Sequence, residues 1–542
     1  MTGFVKEIRD ALTETRIKAT LIGCLIFGTL SQGMGLFNVY SCHDDACMLF
    51  TYGETYTLGR WLTHMIERAS EYIGINGDGV VSLALTNGFF LLICVAIAAC
   101  LIIRILDITD KYLCVFVGGL MVSVPTITCY MGYRYNAVQF GLALLLAATS
   151  AYFACGPLNI SRGITAIVLF GCSAGAYQGF IPFAICVILF WCIRHEVFIA
   201  ESQTSHMEKT RERVILYSSK IAIILSGTIF YAAVNKLYLF INHYEMISYR
   251  GVDSVSDIGI SDYLLRILIA YKQFIYPSRD SLFYIFPSNI RYVYYTMGFI
   301  CIVIFVRLLV DAFKKSSFSG LLILCMISVI PLACNFMIVM AGIDYMYSTM
   351  TYAQMMPFVL TAMLLDIYMN RKSQQQKETS FSLVMSTIKF CVITSLMILN
   401  LMYVRYDNKL YMVAEFTQQE CISYFTTLIT RIQSVDGYRT DMRVAYLNEY
   451  DKNTEGLAGF NSIPSYKDVW GHFEDVNVDP YWTVDVLISN YAWKEFMNDW
   501  CGYYPELAEP SEFSDLPEVE NMPRYPNSGS ICIVDDTIVV KF

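Results

Sequence analysis

Eleven apolar runs, most of them about twenty residues long, recur between Leu21 and Tyr403, and this recurrence constrains the fold more than any other feature. A bilayer core takes about twenty apolar residues per helical crossing and offers no water to unpaired backbone groups, so only helices or closed barrels can span it. Here the runs are unbroken rather than alternating, which selects helices. They lie near Leu21 to Tyr40, Val80 to Leu106, Tyr112 to Tyr130, Ala137 to Ala154, Ile164 to Ala176, Gly179 to Ile193, Ser219 to Phe240, Tyr292 to Val310, Leu321 to Ala341, Tyr352 to Tyr368 and Leu383 to Tyr403. The expected fold class is an all-α polytopic membrane protein. Composition agrees: 56% of residues are hydrophobic and only 16% charged, against about a quarter charged in soluble domains, and the mean hydropathy is +0.47.

Charge divides the chain in two. From Val404 onward there are 10 basic against 23 acidic residues, and before it 28 basic against 24 acidic. Two regions in different solvents are expected: a transmembrane domain over 1–403 and a soluble domain over 404–542. Lys6, Arg9, Arg16 and Lys18 precede the first run, which has no small-residue cleavage pattern after it and reads as an uncleaved anchor with a cytoplasmic N-terminus. Eleven crossings then place the soluble domain outside. Arg104/Lys111, Arg162, Arg194 with Lys209, Arg211, Arg213 and Lys220, Lys314/Lys315 and Arg371/Lys372/Lys377 all fall on the predicted inner side.

After Val404 the pattern predicts a helix over Leu410 to Gln433, strands at Arg443 to Leu447 and Val484 to Ile488, and a hairpin of Ile531 to Val534 and Thr537 to Lys541 turning at Asp535-Asp536. A small α/β or α+β domain fits. The runs Ile164 to Ala176 and Gly179 to Ile193 are short and meet at Tyr177-Gln178, which predicts a hairpin turning within the outer half of the membrane. Gly171, Gly175 and Gly179, four residues apart, permit close helix packing. Tyr56 to Tyr72 and Ile258 to Ile275 are amphipathic and suit helices lying on the membrane surface.

Chemistry-bearing residues gather in the outer loops. Ser41-Cys42-His43-Asp44-Asp45-Ala46-Cys47 follows the first crossing. Adjacent carboxylates at a membrane boundary repel and lose hydration, so one can become a base near neutral pH, although a solvated loop would carry the same residues. Cys42 and Cys47 could clip the pair. Gly59-Arg60-Trp61 offers a guanidinium fork for phosphate and an indole face for sugar or headgroup, or simply an interfacial anchor. Tyr133-Arg134-Tyr135-Asn136 sits between two crossings, where Arg134 is placed either to hold an anionic phosphate or to snorkel. Lys236 and Arg250 flank the seventh crossing, and Asp344 and Gln354 the ninth-to-tenth turn. Of these four, Lys236 is the candidate, since it lies within an apolar run where charge is costly.

There is no Walker A sequence, no GxGxxG at a strand-to-helix turn, no HExxH and no Cys/His metal spacing, which argues against nucleotide-driven chemistry and suits a donor supplied by the membrane. Most cysteines fall inside apolar runs as small hydrophobes.

Taken in order, His43-Asp44-Asp45, Gly59-Arg60-Trp61, Tyr133-Arg134-Tyr135-Asn136 leading into a small-residue helix, and Tyr177-Gln178-Gly179-Phe180, the chain resembles the bacterial serotype-converting glucosyltransferases of the glucosyl transferase II type, over about residues 20 to 400. The resemblance implies a polytopic enzyme of GT-C architecture in the bacterial cytoplasmic membrane. Such an enzyme takes a hexose, glucose by the family name, from a polyprenyl-phosphate carrier and passes it to a cell-surface polysaccharide such as O-antigen. It also implies an essential Asp in the first outer loop, Asp44 or Asp45. Asn136 stands where an Asp is expected, which leaves that position a hydrogen-bonding role.

In the implied inverting mechanism Asp44 or Asp45 takes the acceptor hydroxyl's proton, and Arg134, Arg60 or Lys236 stabilises the departing polyprenyl phosphate. His43, Trp61, Tyr133, Tyr135, Asn136, Tyr177 and Gln178 complete the expected substrate contacts. No cofactor is required, though Asp44 and Asp45 could hold a divalent cation, and no nucleic-acid partner is expected. Two other readings are a transporter or flippase for polysaccharide or lipid-linked sugar and a non-catalytic receptor using the tail. Transporters place polar residues near the bilayer midplane, whereas here they gather at helix ends.

Overall fold

The computed structural model describes residues 13–40, 48–50, 53, 55–74, 79–157, 159–199, 206–247, 259–277, 290–374, 379–448 and 492–542. The described residues form two compact units, one falling within 1–37, 52–78 and 83–407 and the other within 38–51, 79–82 and 408–542.

The apolar runs are helical over nearly all their length, and the last helix of the first unit, Thr379–Gln433, continues into the second. The order is α1 (Thr15–Phe37), α2 (Trp61–Tyr72), α3 (Ala84–Ile105), α4 (Lys111–Ser123), α5 (Pro125–Gly132), α6 (Ala137–Ala154), α7 (Ile160–Ala176), α8 (Ile181–Ile199), α9 (His206–Asn242), α10 (Ile260–Ile275), α11 (Ile290–Lys315), α12 (Ser317–Ser328), α13 (Ile330–Cys334), α14 (Phe336–Ala341), α15 (Met356–Gln374) and α16 (Thr379–Gln433). Among the described residues ten segments are long and apolar enough to cross a membrane, and α7, with 17 residues, is a shorter apolar helix. This is an all-α polytopic membrane protein. Of the two runs read as short, the second is long enough: with the 3-10 turn before α8 it extends over Gln178–Ile199. The amphipathic stretches form α2 and α10, neither of which is among the candidate spans.

One crossing is broken on purpose of sequence. Val124 is extended (φ −62°, ψ 132°) because Pro125 follows it and disfavours the helical region for its neighbour, so α4 stops and α5 restarts. Backbone carbonyls freed inside a membrane segment need donors. The Tyr352 hydroxyl donates to Met121 O at 2.9 Å and the Gln32 amide to Val122 O at 3.2 Å. The break directs α5 toward the turn Arg134–Asn136 that joins it to α6.

Ionic pairing marks one end of the first unit. Arg16 and Arg194 both bind Asp107, Arg104 binds Glu14, and Lys389 binds Asp110. Buried Asp366 accepts from Thr109 N, Asp110 N and the Asn370 amide. These groups join the start of α1, the end of α3, the end of α8 and the start of α4; Tyr177, Arg60 and Arg134 lie at the opposite helix ends.

In the second unit three strands, β1 (Arg443–Leu447), β2 (Ile531–Val534) and β3 (Thr537–Lys541), form a sheet of order β1-β3-β2. β1 runs parallel to β3, Arg443 opposite Thr537, and β2 antiparallel to it, Val534 opposite Thr537. Asp535 and Asp536 carry φ of 43° and 65°, the positive values a two-residue hairpin turn requires. Ala445, Val539, Phe513 and Val519 form its core. Trp493, on α17 (Ala492–Cys501), stacks on Phe425 at 6.0 Å and meets Tyr446 edge-on at 5.0 Å. The predicted strand Val484 to Ile488 lies outside the described residues, and the predicted helix Leu410 to Gln433 is the last part of α16.

Candidate functional site

The short helix α2 is seated on the end of α7. Thr63 Oγ1 donates to Ala176 O at 2.9 Å, satisfying one of the carbonyls a helix leaves open at its C-terminus. Trp61, 4% exposed, lies flat where a side chain at Gly175 would otherwise be. Before α2 the chain makes a tight turn at Gly59 (φ +77°), and a Cβ there would sit 2.6 Å from the Tyr231 hydroxyl. Glycine is therefore required both by the dihedral and by the space.

That turn brings four polar groups together. Gln178 Nε2 donates to Leu58 O at 3.0 Å and to the Tyr231 hydroxyl at 2.9 Å, and Asn235 lies beside them against Gly59. Arg60 places its guanidinium carbon 5.0 Å from the centroid of the Tyr177 ring, within cation–π range. Its Nε is buried with no hydrogen-bond partner, and no carboxylate lies within ion-pair distance of it among the described residues. Asn235 Oδ1 is likewise buried without a donor.

Tyr177 is fixed from below. Its hydroxyl donates to Thr349 Oγ1 at 2.9 Å, while Tyr130 OH donates to Thr349 O at 2.6 Å. The Tyr177 ring meets Phe140 edge-on at 4.8 Å and Tyr130 at 6.2 Å. Tyr130 stands one helical turn before Arg134, so this aromatic cluster links Arg60 to the predicted Tyr133-Arg134-Tyr135-Asn136 turn. There Arg134 is buried at 3% exposure, its carbonyl accepts from Asn87 Nδ2 at 3.0 Å, and the Tyr133 and Tyr135 rings pack at 6.5 Å. The side-chain oxygens of Asn136 and Gln139 are buried and accept no hydrogen bond from the described residues. Buried polar atoms are satisfied in the great majority of cases, so a cluster of exceptions calls for a donor from elsewhere.

Under α2, His64 bonds the Tyr238 hydroxyl through Nδ1 and packs on Tyr56, which stacks on Tyr244 at 4.0 Å. Burial lowers the His64 pKa, and Arg68 lowers it further. Glu67, 3% exposed, is pushed up to about 8 by burial and by the neighbouring Glu71. Arg60, seven residues before it, draws it the other way.

Of the residues anticipated from sequence, Arg60, Trp61, Tyr177 and Gln178 come together, and Tyr133, Arg134, Tyr135 and Asn136 join them through Tyr130. Lys236 does not: it is exposed, and its neighbour Asn235 is the one that faces the group. His43, Asp44 and Asp45, with Cys42 and Cys47, lie outside the described residues, as does Arg250. Tyr231, Asn235, Thr349, Gln139 and Glu67 were not anticipated. Only Asn235 and Glu67 carried a signal, as polar residues inside helical stretches whose facing residues were apolar.

Residues 33–358, well over half the chain and including all of these groups, match the sequence family described as Glucosyl transferase GtrII. No curated protein and no solved structure matches the chain.

Proposed function

The chain belongs to the glucosyl transferase GtrII family and is a membrane glycosyltransferase, and from that premise we propose that it moves glucose from a polyprenyl-phosphate carrier to a surface polysaccharide on the outer face of the membrane. The observation that carries the reading is Arg60: a guanidinium laid on Tyr177, with a buried N–H unanswered and no carboxylate within ion-pair distance among the described residues, beside buried amide oxygens that lack donors. A phosphate supplies the missing acceptor and negative charge, and sugar hydroxyls supply donors to Asn235, Asn136 and Gln139.

The chemistry follows from charge. As the acceptor hydroxyl attacks the anomeric carbon with inversion, Asp44 or Asp45 takes its proton. The bond to the carrier phosphate breaks, and negative charge grows on the phosphate oxygens. Arg60, with Arg134 near the same aromatic cluster, stabilises that charge without reorganising, since Tyr177 and its bond to Thr349 fix the platform. Phosphate leaves as the monoester anion of the lipid and needs no general acid. Tyr177 and Trp61 are buried, and their part is to seat Arg60 and α2 rather than to meet the sugar.

The test is transfer itself. Full-length protein in nanodiscs, given radiolabelled polyprenyl-phosphate glucose and acceptor polysaccharide, is expected to label the polysaccharide and release polyprenyl phosphate. In sealed proteoliposomes, label that crosses the bilayer without forming a glycosidic bond would instead identify a transporter.

A further inference from the structure

Where α6 ends and α7 begins, away from Tyr177 and beside the middle of α9, there is a cavity of about 280 Å³ lined by Phe153, Asn159, Arg162, Ser219, Lys220 and Ile223, among others. At about 30 Å³ per water this holds roughly nine waters, ample for a phosphate group. By helix rise, the eleven residues from Lys220 to Tyr231 put it about 16 Å from the glycosyl site.

Two cations share this space. Lys220 is only 3% exposed and donates to Gly156 O at 3.3 Å, its ammonium 5.3 Å from the Trp191 ring centroid. Arg162 donates to Tyr152 O at 3.0 Å, rests over the Tyr152 and Phe153 rings at 5.6 and 5.4 Å, and keeps a buried Nε with no partner. Its guanidinium lies directly on Gly156, where any Cβ would displace it. The loop thus holds both cations in place, and among the described residues neither has a carboxylate within ion-pair distance. Two like charges in one partly buried cavity repel, and an anion bound between them would relieve that repulsion. The start of α7, whose Asn159 caps Ser161 N, adds the positive end of a helix dipole to the same cavity. Beside it Ile160 and Ile164 are 84% and 57% exposed, an apolar flank of the kind that faces acyl chains.

We propose that this cavity is a second binding site, selective for a phosphate-bearing anion, and that the phosphodiester headgroup of an anionic phospholipid fills it with its chains along Ile160 and Ile164. Lys220 and Arg162 bind the phosphate oxygens, and the site is separate from the one that binds the glycosyl donor.

The full-length protein in detergent is mixed with phosphatidylglycerol and phosphatidylcholine vesicle lipids and examined by native mass spectrometry. Wild type is expected to retain phosphatidylglycerol over phosphatidylcholine. Lys220→Met, near in shape and uncharged, and Arg162→Gln are each expected to weaken that retention about tenfold, the loss of one charge-assisted contact. Excess inorganic phosphate that fails to displace the lipid identifies the lipid as the ligand, and phosphate that binds and displaces it identifies a free phosphate as the source. Equal retention of both lipids by wild type, with no phosphate binding, overturns the proposal even if the variants do not fold. So does undiminished retention by both variants.

Discussion

Arg60 has lost water around its Nε and gained an aromatic face in exchange for a counter-ion, so its position depends on Tyr177 and its worth on what binds. Tyr177→Phe keeps the ring and removes the hydroxyl that donates to Thr349, and a stability loss of about 1 kcal/mol is expected, with transfer reduced only a few-fold. Thermal unfolding and the transfer assay read the two effects separately. Glu67 makes a pH prediction with a definite sign. Its carboxyl titrates near about 8 in the fold, against an ordinary 4.5. Between those values the folded protein holds a proton that the unfolded chain has released. Stability from this group is therefore fully present below about 4.5 and falls as pH rises toward 8. Glu67→Gln is expected to flatten that decline in thermal unfolding across the same range, and an unchanged decline would place Glu67 in contact with water. Lys236 shows what sequence could not resolve at this scale. α9 is apolar nearly all round, and neighbouring residues on a helix point about 100° apart, so the pattern did not reveal which face turns inward. The lysine lies near the helix end and exposes its charge, while Asn235 is buried.

Among the elements, α7 shows how one spacing serves several neighbours. Gly171 admits Phe230 of α9, Gly175 admits Trp61 of α2, and Gly179 lies under the Tyr177 ring. Gly175→Val is expected to cost about 1–3 kcal/mol by overpacking and to lift α2, with Arg60, away from Tyr177. Gly298→Ala on α11, where a Cβ meets nothing within 4 Å, is the control, expected to be neutral or slightly stabilising in the same melt. Helix positions were legible because twenty apolar residues in lipid have one solution. The break at Val124 was visible only as Pro125, since its acceptability depends on Tyr352 and Gln32 arriving from distant segments to answer the freed carbonyls. Tyr231 and Thr349 were hidden for the same reason: each is ordinary in its own run, and the site forms only when α9 and the turn before α15 converge on Gly59 and Tyr177.

For the whole molecule, a catalytic membrane bundle and a small α+β unit are each stabilised by their own core. Trp493→Ala, which removes the ring between Phe425, Tyr446 and Phe542, is expected to cost that unit about 3–5 kcal/mol. Limited proteolysis should then cut within residues 443–542 and leave the helices of the first unit intact. The three described strands of this unit were legible down to their end residues because alternation and the Asp535-Asp536 turn are local signals, whereas their order β1-β3-β2 depends on a long crossover. In the proposed reaction proton removal falls to Asp44 or Asp45 and phosphate stabilisation to Arg60. Steady-state transfer from labelled polyprenyl-phosphate glucose by the double variant Asp44→Asn/Asp45→Asn, set beside Arg60→Gln, tests that division directly. The double variant is expected to lose about 10²-fold or more in kcat with KM little changed, and Arg60→Gln to lose about tenfold or more in both kcat and kcat/KM, since the charge it meets grows in the transition state. Wild-type kcat in the double variant, or wild-type kcat/KM in Arg60→Gln, would contradict that division.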